Sequence, residues 1–336
     1  MRKLRVFGVA ILFLSFFSGW LWMDYKNAIN STVNTAEPIH FEINKGDSLK
    51  QISYRLKAQD LIQKPYWFSM LARLEGVAGK VKTGEYVIHP GVTQKQLLSQ
   101  FVTGEVRQYS ITLTEGWAFK QVLAEINRNP AILKTLDGAS DTEILSKLEA
   151  NEKHPEGLFF PDTYFFTKNT LDIDLLKRAY QKMKKILASE WANREENLPL
   201  KTPYEALILA SIVEKETGAV EERPIIAGVF IRRLNRRMLL QTDPTVIYGM
   251  GDRYDGDIRW RDLKRDTPYN TYVRRGLPPS PIAMPGADAI HSTLHPEKGD
   301  SLYFVARGDG SHIFSSNLKE HNRAVDRFQR NRKSSQ

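Results

Sequence analysis

The stretch TPYEALILASIVEKETG (202–218) decides how the second half of the chain folds. Thr202 is a strong helix N-cap, Pro203 suits the first helical position, and Glu205 completes a capping box. The run ALILASIV (206–213) is apolar nearly all round, which predicts a buried helix rather than a surface one. Gly218 is a natural stop. Leu209, Ile212, Val213 and Glu216 fall at i, i+3, i+4 and i+7, so Glu216 stands where a buried stripe would continue. Glu214 lies on another face, roughly 200° away at about 100° per residue. A cleft at this helix end therefore meets one of the two carboxylates, not both.

A carboxyl held against apolar surface has its charged form disfavoured, and its pKa rises. That is the environment of a general acid working near neutral pH. Spacing alone leaves a second possibility: a helix-end Glu that is solvated, or paired with Arg232, Arg233, Arg236 or Arg237. A close guanidinium would hold the pKa down and weaken the acid reading.

Outward from this helix, the segment EGLFFPDTY (156–164) packs aromatics beside Gly and Pro and reads as a loop wall. Residues 171–192 form a basic amphipathic helix, with Leu175, Leu176, Ala179, Met183 and Ile186 on its apolar side. Residues 118–150 are helical in pattern, broken near Asn129-Pro130 and Gly138, and Tyr109–Leu113 alternates like a strand. Before residue 106 the pattern changes to a small α/β unit. Its helices start at Asp47 or Ser48, after Pro65 and at Thr93, and Gly84–Ile88 reads as a strand. The order K-G-D-S-L-x-x-I (45–52) resembles the start of a LysM-type glycan-binding module.

The N-terminus sets the compartment. Arg2, Lys3 and Arg5 precede VFGVAILFLSFFSGWLWM (6–23), an uncharged run that as a helix reaches about 27 Å, near the ~30 Å thickness of a bilayer core. Trp20, Trp22 and Tyr25 sit at its far end, where rings favour the membrane interface. The basic cluster comes first, which predicts a cytoplasmic tail at 1–5 and the rest of the chain outside. A cleaved signal peptide is the competing reading, but Gly19 is followed by Trp, Leu, Trp and Met rather than small residues. NAINSTVNTAEP (27–38) is polar, and 24–39 reads as a linker.

Composition narrows the chemistry. The 336 residues carry 48 Lys+Arg against 39 Asp+Glu, a net charge of +9 that suits an anionic partner. With no cysteine there is no disulfide, thiol nucleophile or Cys-ligated metal. No H-E-x-x-H, Walker loop or G-x-S-x-G occurs, and Gly249-Met250-Gly251 lacks the third glycine of a dinucleotide fingerprint. His291 and His295, with Glu297 near, form an imaginable metal site, more readily read as ordinary surface or core residues. No nucleic-acid recognition motif is visible, so nucleic acid is not an expected partner.

Taken together, SIVEKETG (211–218), QTDPTVIYGMG (241–251), PYNTYVRRGLPPSPIAMPG (268–286) and LYFVARGDGSHIFSSNLKEHN (302–322) closely resemble the YceG-like family of endolytic murein transglycosylases. The blocks are long and collinear, and the resemblance includes the anchor, the LysM-like module and EGLFFPDTY. It implies an α+β architecture: transmembrane anchor 6–23, LysM-like domain 40–105 and catalytic domain 106–330. It implies that the catalytic acid, the second Glu of E-K-E, is Glu216, and that no cofactor or metal is needed. The implied reaction cuts the β-1,4 bond between N-acetylmuramic acid and N-acetylglucosamine and closes a 1,6-anhydro ring without water. Such cleavage, internal to nascent strands, would end their elongation. Gln241, Asp243, Tyr248, Asn270 and Tyr272 are then expected to line the glycan groove, with Tyr164 and Phe160 weaker candidates. Peptidoglycan strands are the expected substrate, at the outer face of a bacterial inner membrane, and peptidoglycan synthases (penicillin-binding proteins) the expected neighbours. Three other readings compete: a glycan-binding scaffold without catalysis, a muramidase that uses water with Asp243 or Glu214 as second group, and a metallopeptidase built on His291 and His295.

Overall fold

The computed structural model describes residues 2–330. The expected 1–5 tail begins at Met1, outside the described residues. The chain divides into two compact units: Met1–Tyr109 with Phe166–Asn169, and Ser110–Phe165 with Thr170–Gln336. Both mix helices and strands, so the α+β class expected from the sequence is the one adopted.

The first unit opens with α1 (Arg2–Asn30), whose segment Arg5–Asn30 is long and apolar enough to cross a membrane. The helix does not stop at Met23. Tyr25, Ile29 and Val33 stand four apart and are buried in the core of this unit, so much of 24–39 is packed structure rather than a linker. The polar letters around these three residues hid an apolar face. Asp24 is held too: its carboxylate accepts from the Trp67 indole at 2.9 Å and pairs with Lys64. Next, β1 (Ile39–Ile43) pairs antiparallel with β2 (Gly84–Ile88), with Phe41 opposite Tyr86 and both buried. Between them lie α2 (Leu49–Ala58), started by a Ser48–Gln51 capping box, and α3 (Pro65–Leu74). The last helix, α4 (Gln94–Thr103), starts at Thr93 and ends at Gly104, whose φ of +79° suits glycine.

In the second unit β3 (Tyr109–Thr112) leads to α5 (Phe119–Arg128), the short β4 (Ile132–Leu133) and α6 (Asp141–Lys147). The chain returns through β5 (Thr163–Phe166), paired with β3, and β6 (Thr170–Leu171), parallel to β4. Then α7 (Asp172–Ala192) begins at a buried Asp172, which accepts the N–H groups of Thr135 and Leu136. The central helix is α8 (Pro203–Glu216), which packs against α7, α9 (Arg223–Asn235), α10 (Asp243–Met250) and, beyond the short α11 (Trp260–Lys264), α12 (Ala287–Leu294). Every residue from Ala206 to Val213 is buried. Each large apolar side chain among them contributes roughly 1.5–3 kcal/mol by leaving water. The chain closes with an antiparallel hairpin of β7 (Tyr303–Ala306) and β8 (His312–Ser315), then α13 (Leu318–Val325).

Two details of α8 differ from expectation. Thr202 does accept from the Glu205 N–H, but Glu205 turns back to the Lys201 N–H instead of closing a capping box. The helix ends at Glu216, two residues before Gly218: Thr217 is already extended, so a change to extended backbone stops it rather than a left-handed glycine.

Candidate active site

Because α8 is buried from Ala206 to Val213, its last residue is delivered from the core to the wall of an open pocket of about 520 Å³. Glu216 lines that pocket with Arg233, Gln241, Asp243, Tyr272 and His321. The Thr242 hydroxyl, itself buried, donates to the Glu216 carboxyl. Burial pushes the Glu216 pKa up to about 7; the Thr242 bond works against this, the Asp243 charge adds to it, and Arg233 opposes it. Glu214 points elsewhere. It accepts from the buried Arg223 guanidinium at 2.9 Å and from the Gly286 N–H at 3.0 Å, a structural role outside the pocket.

The other side of Glu216 is built by the turn into α10. Gln241 adopts φ +51°, a left-handed conformation that costs a non-glycine residue and persists only where its surroundings enforce it. The enforcement is visible: the Gln241 N–H donates to the Thr271 carbonyl, and the Thr242 N–H to the Thr271 hydroxyl, each at 3.1 Å. Thr245 bridges the same pair from below. Asp243 begins α10 and accepts from the Tyr272 hydroxyl at 2.6 Å. Burial, and then the Asp243 carboxylate, push the Tyr272 phenol up, so it remains a donor.

Among the expected groove residues, Gln241, Asp243 and Tyr272 are brought together with Glu216. Tyr248 and Asn270 lie outside this pocket. Asn270 is buried, and its amide donates to the carbonyls of Asp262, Leu263 and Arg265 while its oxygen accepts the Tyr272 N–H. It shapes the loop that carries Tyr272 instead of offering an amide to a sugar. Tyr248 faces the opposite way along α10 and donates to Glu156 at 3.0 Å. Glu156 is buried, also accepts the Phe119 N–H at 2.9 Å, and is raised by that burial to about 7. Tyr164 and Phe160 are core residues outside the pocket as well: the Tyr164 hydroxyl donates to the Phe160 carbonyl.

Arg233 entered the sequence reading only as one of four arginines able to pair with Glu216, and His321 had no role assigned. Arg233 is buried; it donates to the carbonyls of Leu302 and Leu240, with its guanidinium 5.1 Å from the Tyr303 ring centre. His321 stacks on the Tyr303 ring itself, ring centres 5.1 Å apart. Its Nδ1 is buried with no hydrogen-bond partner among the described residues. Burial, then Arg233, hold its pKa below the usual value, so the ring is neutral near pH 7. The signal in the sequence was the H-N pair at 321–322 inside a helix capped by Asn317, which carries no spacing relation to Glu216. His291 and His295 do not line this pocket and meet Glu190, not the Glu297 side chain considered with them.

A sequence model of the YceG-like family matches residues 41–327. A protein of Bacillus subtilis (strain 168) described as an endolytic murein transglycosylase is 31% identical over 308 residues, covering 86% of this chain and 84% of the relative. A protein of the same description from Streptococcus pneumoniae serotype 2 is 27% identical, covering 94% of this chain and 63% of that longer relative. A 2.6 Å crystal structure of a yceG-like protein from Listeria monocytogenes superposes with a TM-score of 0.54 at 28% identity, covering 86% of this chain and 99% of that one.

Proposed function

The chain belongs to the YceG-like family, and from that premise we propose that it is an endolytic murein transglycosylase. It cuts the β-1,4 bond between N-acetylmuramic acid and N-acetylglucosamine within peptidoglycan strands. The observation that carries this reading is the Glu216 carboxyl, raised to about 7 at the wall of an open pocket and therefore able to hold a proton at neutral pH. Glu216 gives that proton to the leaving glycosidic oxygen, and positive charge develops at C1 of the muramic ring. The resulting carboxylate then takes the proton of the same sugar's C6 hydroxyl. That oxygen bonds to C1, closing a 1,6-anhydro ring, and Glu216 is again protonated. Thr242 steadies the carboxylate form between the two steps. Gln241, Asp243, Tyr272 and His321 provide polar contacts for the sugar, and the Arg233 cation moderates the negative charge of Glu216.

A water-using muramidase is the second reading, and Asp243 favours it, because this second carboxyl lines the same pocket. Its hydrogen bond from Tyr272 also fits a positioning role in the transglycosylase, so product chemistry decides.

The apolar segment of α1 anchors the protein in the inner membrane, with the N-terminus cytoplasmic and the catalytic unit on the outer face. The strand–helix–helix–strand order β1–α2–α3–β2 around Lys45–Ile52 supports a LysM-like first unit. So placed, the enzyme meets strands as synthases make them and ends their growth. The test compares the full chain in detergent with Glu216→Gln on purified peptidoglycan, reading soluble glycan released. Loss of about a thousandfold or more in rate is expected; wild-type rates in the variant would overturn the assignment.

A further inference from the structure

We propose that Glu190, His291 and His295 form a zinc-binding staple between α7 and α12, apart from the catalytic pocket. His291 and His295 stand four residues apart, in the last turn of α12 and at its C-cap, so both rings leave the same side of the helix. The rings lie face to face, centres 4.3 Å apart at 27°. Both present a nitrogen to one oxygen of Glu190, from the last turns of α7: His291 Nδ1 at 2.9 Å and His295 Nε2 at 3.8 Å. His291 already makes the hydrogen bond to this oxygen. The second ring, beyond hydrogen-bond distance yet aimed at the same oxygen, is surplus to that pairing. A cation at the shared point would use all three.

The donor set and its spacing fit a particular ion. One atom from each residue lies within 4.8 Å of the other two. Zinc bonds to nitrogen and carboxylate oxygen at about 2.0–2.2 Å, which sets tetrahedral ligand separations near 3.3 Å, so modest side-chain rotation closes the site. Two imidazoles and a carboxylate suit zinc and its transition-metal neighbours, and disfavour magnesium and calcium, which take oxygen ligands. The fourth position faces solvent, since the His291 side chain is 59% exposed. The two elements are already fixed to one another: α7 packs on α12, and the Glu195 N–H donates to the Leu294 carbonyl at 3.0 Å. Little ordering remains to be done on binding. Because α12 also packs on α8, the staple braces the scaffold behind Glu216 while leaving its chemistry untouched.

The test titrates zinc chloride into the full chain in detergent, purified without a polyhistidine tag, by calorimetry and by thermal unfolding. Saturable binding of one equivalent is expected at micromolar zinc. Tm should rise by about 3 °C or more at a hundredfold excess over Kd, because an ion that binds only the folded state stabilises it. His291→Ala, His295→Ala and Glu190→Gln should each weaken binding at least tenfold, and His154→Ala should not. No saturable binding, binding that survives all three substitutions, or binding without a Tm rise would overturn the proposal. Glycan cleavage does not enter the readout, so this outcome is separate from that of the proposed reaction.

Discussion

At the scale of single residues, the contest at Glu216 is between burial and the nearby arginine. The sequence placed Glu216 on the buried stripe of α8 and placed arginines close by, so either sign of pKa shift was open. The structure resolves it because the Arg233 guanidinium is committed to the carbonyls of Leu302 and Leu240, and burial outweighs its charge. A raised carboxyl means the acid form is lost as pH climbs through about 7, so kcat/KM should fall with an alkaline limb near that value. Stability has its own sign. Between pH 4.5 and about 7 the folded state holds a proton that the unfolded chain has released, so this group costs stability as pH rises through that window. Glu216→Gln should therefore unfold up to roughly 6–12 °C higher than wild type at pH 8, about 3 kcal/mol, and match it below pH 4.5, as calorimetry would read. Thr242→Val removes a donor that favours the carboxylate, and the alkaline limb should move up by about one unit. His321→Ala should raise KM about tenfold if the neutral ring contacts sugar, with kcat changing less. His321 itself was not legible from sequence: it reaches the pocket from a helix a hundred residues downstream, through the β7–β8 hairpin, and no periodicity links the two.

At the scale of elements, helix starts were the most readable feature. Ser48, Thr93 and Thr202 all cap where their side chains predicted, because capping is a local hydrogen bond. Loops were the least readable. Asn270 looked like a sugar-binding amide, yet it is fully used in tying backbone carbonyls, a role that depends on a fold no local pattern reveals. Asn270→Ala should lower Tm by several degrees and also raise KM, since the freed loop carries Tyr272 and the partner of Gln241. The Glu214–Arg223 pair makes the complementary point about the E-K-E triplet. Both side chains are buried, so Arg223→Met leaves a carboxylate without its cation and should cost roughly 3–5 kcal/mol, measured by denaturant unfolding. Gly157 is similarly constrained. Its φ is +79°, and an added Cβ would meet Pro281 at 2.4 Å, so the Gly-containing loop wall tolerates no side chain there.

At the scale of the whole molecule, the apolar N-terminal run and the first part of the expected linker share one helix, which ends at Asn30. The apolar count of 6–23 was legible; the continuation was not, since three core residues four apart were diluted by polar neighbours. It follows that truncation has a sharp limit. A 24–336 fragment keeps Tyr25, Ile29 and Val33 in the first unit, whereas 40–336 loses all three and should show a first unfolding transition weakened by at least about 3 kcal/mol. The collinear sequence blocks carried the family assignment, and with it a reaction that spacing alone left open. The most direct test of that reaction is the mass of the products formed by the full chain in detergent on peptidoglycan. Internal fragments ending in 1,6-anhydromuramic acid, absent with Glu216→Gln, are the predicted result. Fragments one water heavier, with reducing ends, would contradict it and make the protein a hydrolase working through Glu216 and Asp243.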